Sequence, residues 1–166
     1  MSRAEALRAR GADAGTARLG DDALRDFSRS LPMLLLRAHQ SVMAEFRPVL
    51  RAHGITEQQW RVLRALTTAS SVRATRLAEL TLISGPSLTR IVKSLDERGL
   101  VSRVAEAGDQ RARAISITAA GRRLIATVAP DSEARYRSIA TRIGEEDLGA
   151  IYALLSELPR RLKPVR

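Results

Sequence analysis

Between Ser84 and Gly99 the apolar positions fall at the helical period. Leu88, Ile91, Val92 and Leu95 stand at i, i+3, i+4 and i+7 and form one face. At about 100° per residue the opposite side carries Pro86, Arg90, Lys93 and Ser94, flanked by Ser87 and Thr89. The start is marked by Ser84-Gly85-Pro86-Ser87: Ser84 or Gly85 supplies the N-cap, and Pro86 falls in the first turn, where no amide partner is lost. The stop is Arg98-Gly99, a left-handed glycine after a basic last turn. Hydroxyls and two cations without apolar neighbours suit base edges and phosphates. They also suit an ordinary solvated surface, so the flanking segments have to decide.

Upstream, a seam of Phe27, Leu31, Leu34, Leu35, Ala38, Val42, Phe46, Val49 and Leu50 predicts a long helix from about Leu24 to His53. Pro32 and Pro48 should each kink or break it. Leu31 to Leu36 is apolar almost all round, which predicts burial on more than one side and a subunit interface. Gly54 closes this helix, and Thr56-Glu57-Gln58-Gln59 opens the next as a capping box, with Trp60, Leu63 and Leu66 on its apolar face. A helix over Val72 to Leu82 follows, with Leu77, Leu80, Leu82 and Ile83 expected to be buried and Arg73, Thr75 and Arg76 near its start. A short turn then leads into the amphipathic helix, and the spacing is that of a helix-turn-helix.

Downstream, Leu100 to Val104 and Ala114 to Ile117 read as two short strands joined by the loop 105–113, which holds Gly108, Asp109, Gln110, Arg111 and Arg113. Such a ribbon directly after the amphipathic helix is a wing. Thr118 or Gly121 leads into a helix from about Ala119 to Ile143, interrupted at Pro130. The last helix starts at Gly144-Glu145-Glu146-Asp147, whose acids suit the positive end of the dipole, and runs to Pro159. Residues 1–22 lack a sustained apolar period and predict a mobile tail, with a frayed helix near Ala4 to Arg10.

Composition narrows the chemistry. The 166 residues carry 28 Lys and Arg against 18 Asp and Glu, a net charge of +10 that favours a polyanionic partner. Aromatic residues make up 3%, too few for the stacking platforms of single-strand and RNA binders, so duplex DNA is the better match. Cysteine is absent, which excludes disulfides, thiol nucleophiles and Cys-ligated zinc. Only His39 and His53 are available for a histidine metal site. No apolar run approaches a membrane span and the start lacks a signal-peptide core, so a cytoplasmic location is expected, with no membrane partner.

Two motifs make these elements specific. One is Pro86-Ser87-Leu88-Thr89-Arg90 followed by Leu95-x-x-Arg98-Gly99-Leu100-Val101; the other is Asp109-x-Arg111 with Ser116-Ile117-Thr118-x-x-Gly121. Over about Leu24 to Leu158 the chain resembles the MarR family of winged-helix transcription regulators. Phe46-Arg47-Pro48 and Ile55-Thr56-Glu57-Gln58-Gln59-Trp60-Arg61 are most similar to the homoprotocatechuate type, repressors of aromatic-acid catabolic operons.

The resemblance implies a mainly α fold with a small β-wing: a winged helix-turn-helix lobe on an all-helical dimerisation base. It implies a family domain over 23–158, with the lobe at about 55–118 and dimerisation helices at about 24–53 and 119–158. Residues 1–22 are then a flexible tail and 159–166 a basic one. A homodimer would bind an inverted-repeat operator in double-stranded DNA with half-sites about one turn (~34 Å) apart. In that arrangement Ser87, Thr89, Arg90 and Lys93 serve the major groove, Ser84 and Pro86 also contact DNA, and Thr75 and Arg76 serve the backbone. Arg111 serves the minor groove, with Asp109 bracing it. Many members carry a second arginine beside that aspartate. Here Gln110 stands there and Arg113 is the substitute, which leaves the wing register open.

The same resemblance places an effector site at Arg37, His39, Met43 and Trp60. The two cationic side chains would grip a small aromatic carboxylate, and Trp60 would pack its ring. The implied function is a sequence-specific regulator, a repressor released by that acid. The alternative is an effector-independent architectural or nucleoid-type DNA-binding protein, for which excess charge alone suffices. No enzyme and no cofactor are expected: the sequence has no Gly-rich phosphate loop, nucleophile constellation or metal set, and acidic pairs such as Asp96-Glu97 sit at helix ends.

Overall fold

Pro32 sets where the first long helix begins. The computed structural model describes residues 27–106 and 109–162, and the side chains of these apart from 104–113. After a 3-10 turn at Phe27–Arg29, helix α1 runs Leu31–Ala52. Pro32 lies in its first turn, where a missing N–H costs nothing. The predicted start at Leu24, the tail 1–22 and residues 163–166 lie outside the described residues. The helix continues through Pro48 without the expected break, and Phe46, Val49 and Leu50 are its buried residues.

The chain turns at Gly54, φ +66°, into α2, Glu57–Ala65. The capping box forms as its sequence dictates: Thr56 Oγ1 accepts from the Gln59 amide at 3.1 Å, and the Thr56 amide donates to Gln59 Oε1 at 3.0 Å. Thr56→Ala should therefore cost about 1 kcal/mol of stability, read as a lower denaturant midpoint at unchanged slope.

Two features differ from the sequence pattern. Val72–Arg73 form a strand, β1, rather than the first turn of a helix; α3 begins behind it and spans Ala74–Thr81. The hairpin is also longer than expected. Strands β2, Val101–Glu106, and β3, Asp109–Ile117, take in most of the segment read as a loop, with an irregularity at Ala105/Glu106. The sheet order is β1-β3-β2, antiparallel throughout, with Val72 opposite Ile115 and Val101 opposite Ile117. Helix α4, Gly85–Glu97, lies between α3 and β2 in the chain and stops at Gly99, φ +67°. Arg98 is its C-cap, so its last turn holds no cation, contrary to the expectation from Arg98.

One apolar core holds these pieces together. Val62, Leu63 and Leu66 of the α2 region meet Leu77, Ile83, Leu88, Val92 and Leu95, and the sheet closes it with Val72, Val101, Ile115 and Ile117. Leu80 and Leu82, expected inside, are exposed. Helix α3 ends at Thr81, so the helical phase that would bury Leu82 no longer applies. A smaller cluster joins Val49, Leu50, Ile55 and Val128, with Met43, Trp60 and Leu124 against it.

Helix α5, Ala119–Ile143, runs uninterrupted past Pro130, and α6, Glu145–Arg161, extends two residues beyond Pro159. The chain divides into two compact units: residues 40–135, and the described parts of 1–39 with 136–166. In the second of these, Leu31, Leu34 and Leu36 of α1 and Ile151, Tyr152, Leu154 and Leu155 of α6 are exposed, Leu154 at 71%. No helix among the described residues is long and apolar enough to cross a membrane.

Candidate nucleic-acid interface

Helix α4 carries two faces of opposite character. Leu88, Val92 and Leu95 are buried, Leu95 completely. Pro86, Thr89, Arg90 and Lys93 are exposed, with Ser84 exposed at the N-cap and Ser87 half-buried. Ser84 is the N-cap by backbone geometry, but its side chain makes no cap bond; its Oγ donates to Ser87 Oγ at 3.0 Å. Thr89 Oγ1 donates to the Gly85 carbonyl at 3.0 Å, which leaves its lone pairs outward. Lys93 stands 3.8 Å from Glu97, a solvated pair one helical turn apart. Arg90 has neither a hydrogen bond nor an ion pair among the described residues. A guanidinium without a partner among the described residues, on a face of hydroxyls and one lysine, is available to an external acceptor.

Ser94 does not belong to this outer face. It is half-buried and its Oγ accepts from Gln59 Nε2 at 3.3 Å, so it ties α4 to α2. Thr75 and Arg76 are exposed at the start of α3, where Arg76 pairs with Glu79 at 3.0 Å. Thr75 and Thr89 both line an apolar cleft of about 430 Å³, beside Ala78, Leu88, Val92 and Arg103. The first turns of α3 and the outer side of α4 thus share one surface. In the wing, Asp109, Gln110, Arg111 and Arg113 belong to β3 by backbone, and their side chains lie outside the described residues.

The turn between α3 and α4 has a support with little signature in the sequence. Arg61 Nη2 donates to Glu57 Oε1 at 2.8 Å, and Arg61 Nη1 donates to the Thr81 carbonyl at 3.1 Å. Arg47 of α1 reaches Glu57 as well, at 3.5 Å. The one sequence signal for this was the i, i+4 spacing of Glu57 and Arg61 on α2. On the wing side Arg103 pairs with Asp96 at 3.4 Å, linking β2 to the end of α4.

The four effector candidates fall into both units. Arg37 and His39 belong to one, where Arg37 Nη1 donates to the Ser28 carbonyl at 3.2 Å. Met43 and Trp60 belong to the other, half-buried against the smaller apolar cluster, and the Arg64 guanidinium lies 5.7 Å from the Trp60 ring centre. Both aromatic and thioether thus have packing roles of their own.

Known proteins of the same build bear on what this surface does. A model of the MarR family matches residues 53–112. The homoprotocatechuate degradative operon repressor of Escherichia coli is 37% identical over 128 residues, 77% of this chain and 86% of that protein. The HTH-type transcriptional regulator FarR of Neisseria gonorrhoeae is 34% identical over 131 residues, 79% of this chain and 90% of its own. The crystal structure of NadR in complex with 4-hydroxyphenylacetate is similar in fold, with a TM-score of 0.69, 33% identity, and coverage of 82% of this chain and 96% of that one.

Proposed function

Because the chain belongs to the MarR family of transcription regulators, we propose that the outer face of α4 reads the major groove of an inverted-repeat operator, as one half of a homodimer. The observation that carries this reading is Arg90, exposed and without a partner among the described residues, on a helix whose other face buries Leu88, Val92 and Leu95. Its planar fork matches the O6 and N7 acceptors of guanine, and Ser84, Ser87 and Thr89 offer hydroxyls to bases or phosphates. Thr75 and Arg76 hold the backbone, and Arg111 of the wing serves the minor groove. The exposed leucines of α1 and α6 are an apolar surface too large to leave wet, and a second copy covers it.

The reading needs binding and no chemical step. Glu145, Glu146 and Asp147, the densest acidic run, lie in the first turn of α6, where the helix dipole accounts for them. We assign the regulated operon to aromatic-acid catabolism, with the protein acting as a repressor. The relatives named for homoprotocatechuate degradation and for a 4-hydroxyphenylacetate complex support a small aromatic carboxylate as the releasing ligand. Met43 and Trp60, both packed against the smaller apolar cluster, supply the apolar packing for its ring.

A competition titration tests both halves. A duplex selected by the protein from a random pool should bind at least about 10³-fold more tightly than random duplex at the same salt concentration. A ratio near one, with affinity set by salt alone, would instead identify an architectural binder. Adding 4-hydroxyphenylacetate or homoprotocatechuate should weaken operator binding about 5- to 150-fold. If neither does so, the effector assignment fails while the DNA assignment stands.

A further inference from the structure

Leu82 is the left-handed C-cap that ends α3, a place where glycine would carry no steric cost, and it is nonetheless an exposed leucine. It is the only described non-glycine residue with positive φ, at φ 51° and ψ 39°, a left-handed conformation in which a β-carbon is crowded. It is also 88% exposed, the most exposed of the large apolar side chains described. Burial does not compensate the conformation. The surroundings nevertheless hold it: Ile83 is buried on the next position, the Leu82 amide donates to the Glu79 carbonyl at 3.3 Å, and Arg61 grips the carbonyl of Thr81 just before it. A strained residue held by its neighbours and aimed outward is a mark of a contact made with something else.

Its position says what that contact is. Leu82 and Ser84 are exposed on either side of buried Ile83, so the apolar side chain stands beside the N-cap of α4 and within one turn of Pro86. Glu79 and Leu80 are exposed on the side before it, and Ser84, Pro86, Thr89 and Arg90 of α4 on the side after it. So small an apolar area offers little to an apolar protein patch, and much to the apolar parts of a duplex that polar side chains cannot address. We propose that Leu82 is a DNA-contacting residue, packing against the apolar edge of the operator next to the bases read by α4. The proposal rests on the groove-reading assignment of α4. Two parts of DNA share this chemistry, the thymine C5 methyl and the deoxyribose face.

Leu82→Gly separates the contact from the fold, because glycine adopts the left-handed conformation without crowding. The variant should melt no lower than the native protein, yet bind its selected operator about five- to tenfold more weakly, and Leu82→Met should restore most of the loss. Replacing thymines of the half-site by uracil one at a time distinguishes the sources. If the contact is a methyl, one substitution weakens the native protein and leaves Leu82→Gly indifferent. If it is sugar, no uracil matters and the glycine variant remains weak. Operator affinity of Leu82→Gly equal to native, in a protein that still prefers its operator over random duplex, overturns the proposal. Loss of that preference in the native protein would instead overturn the groove-reading assignment on which it rests.

Discussion

Gly121→Ala should destabilise the protein by about 3 kcal/mol, the upper end of what one added carbon costs in a packed site. A β-carbon built at Gly121 meets the carbonyl oxygen of Leu100 at 2.2 Å and Ile117 Cγ1 at 2.7 Å. The first is backbone and cannot rotate away. It is also committed, since the Leu100 carbonyl accepts from the Thr118 amide at 3.1 Å. Thr118 Oγ1 in turn donates to the Gly99 carbonyl at 2.7 Å and accepts from the Gly121 amide at 3.1 Å. One small residue thus lets the start of α5, the end of β3 and the turn after α4 share a single knot. Relief by moving α5 outward would open the apolar contact of Leu124 and Ile125 with the core. Guanidinium unfolding followed by circular dichroism measures the loss, and a variant with native stability would show that α5 shifts freely.

What could be read from the sequence was local. The capping box at Thr56, the stop at Gly99 and the one-sided apolar period of α4 each depend on residues within one or two turns, and each formed as its chemistry requires. Contacts set by distant residues were not legible. Val72–Arg73 look like the lead into a helix, and they become a strand only because Ile115 and Ala114 of β3 lie alongside. The polar run 109–113 has no alternation to announce a strand, yet its backbone extends β3. Leu82 looked like core because it continues the helical period of α3, whereas the helix has already ended and the left-handed turn throws the side chain outward.

The candidate site divides along the same line. Thr89, Arg90 and Lys93 could be placed on one outer face because a capped helix fixes the direction of every side chain. Ser94 shared that face on a helical wheel, but Gln59 of α2 draws it inward, a partner the wheel does not include. Arg37, His39, Met43 and Trp60 carry no comparable local signal. Their grouping rests on the family resemblance, and Met43 and Trp60 already pack against Val49, Leu50, Ile55 and Val128.

The central claim is that α4 reads sequence rather than merely neutralising phosphate, and Arg90→Ala carries its largest consequence for binding. Removing a bidentate contact to a guanine should cost about 1–3 kcal/mol, a five- to 150-fold fall in affinity, with the fold intact because Arg90 has no partner among the described residues. The Ser84 to Ser87 bond and the Thr89 bond to Gly85 do not involve it, so the helix start should survive. The most direct measurement is anisotropy with the selected operator at fixed salt, repeated with each base pair of a half-site changed in turn, for the native protein and for Arg90→Ala. The predicted result is that the variant loses discrimination at one base pair of each half-site and keeps it elsewhere. A folded variant whose affinity falls uniformly across all sequences, or does not fall at all, would contradict the claim.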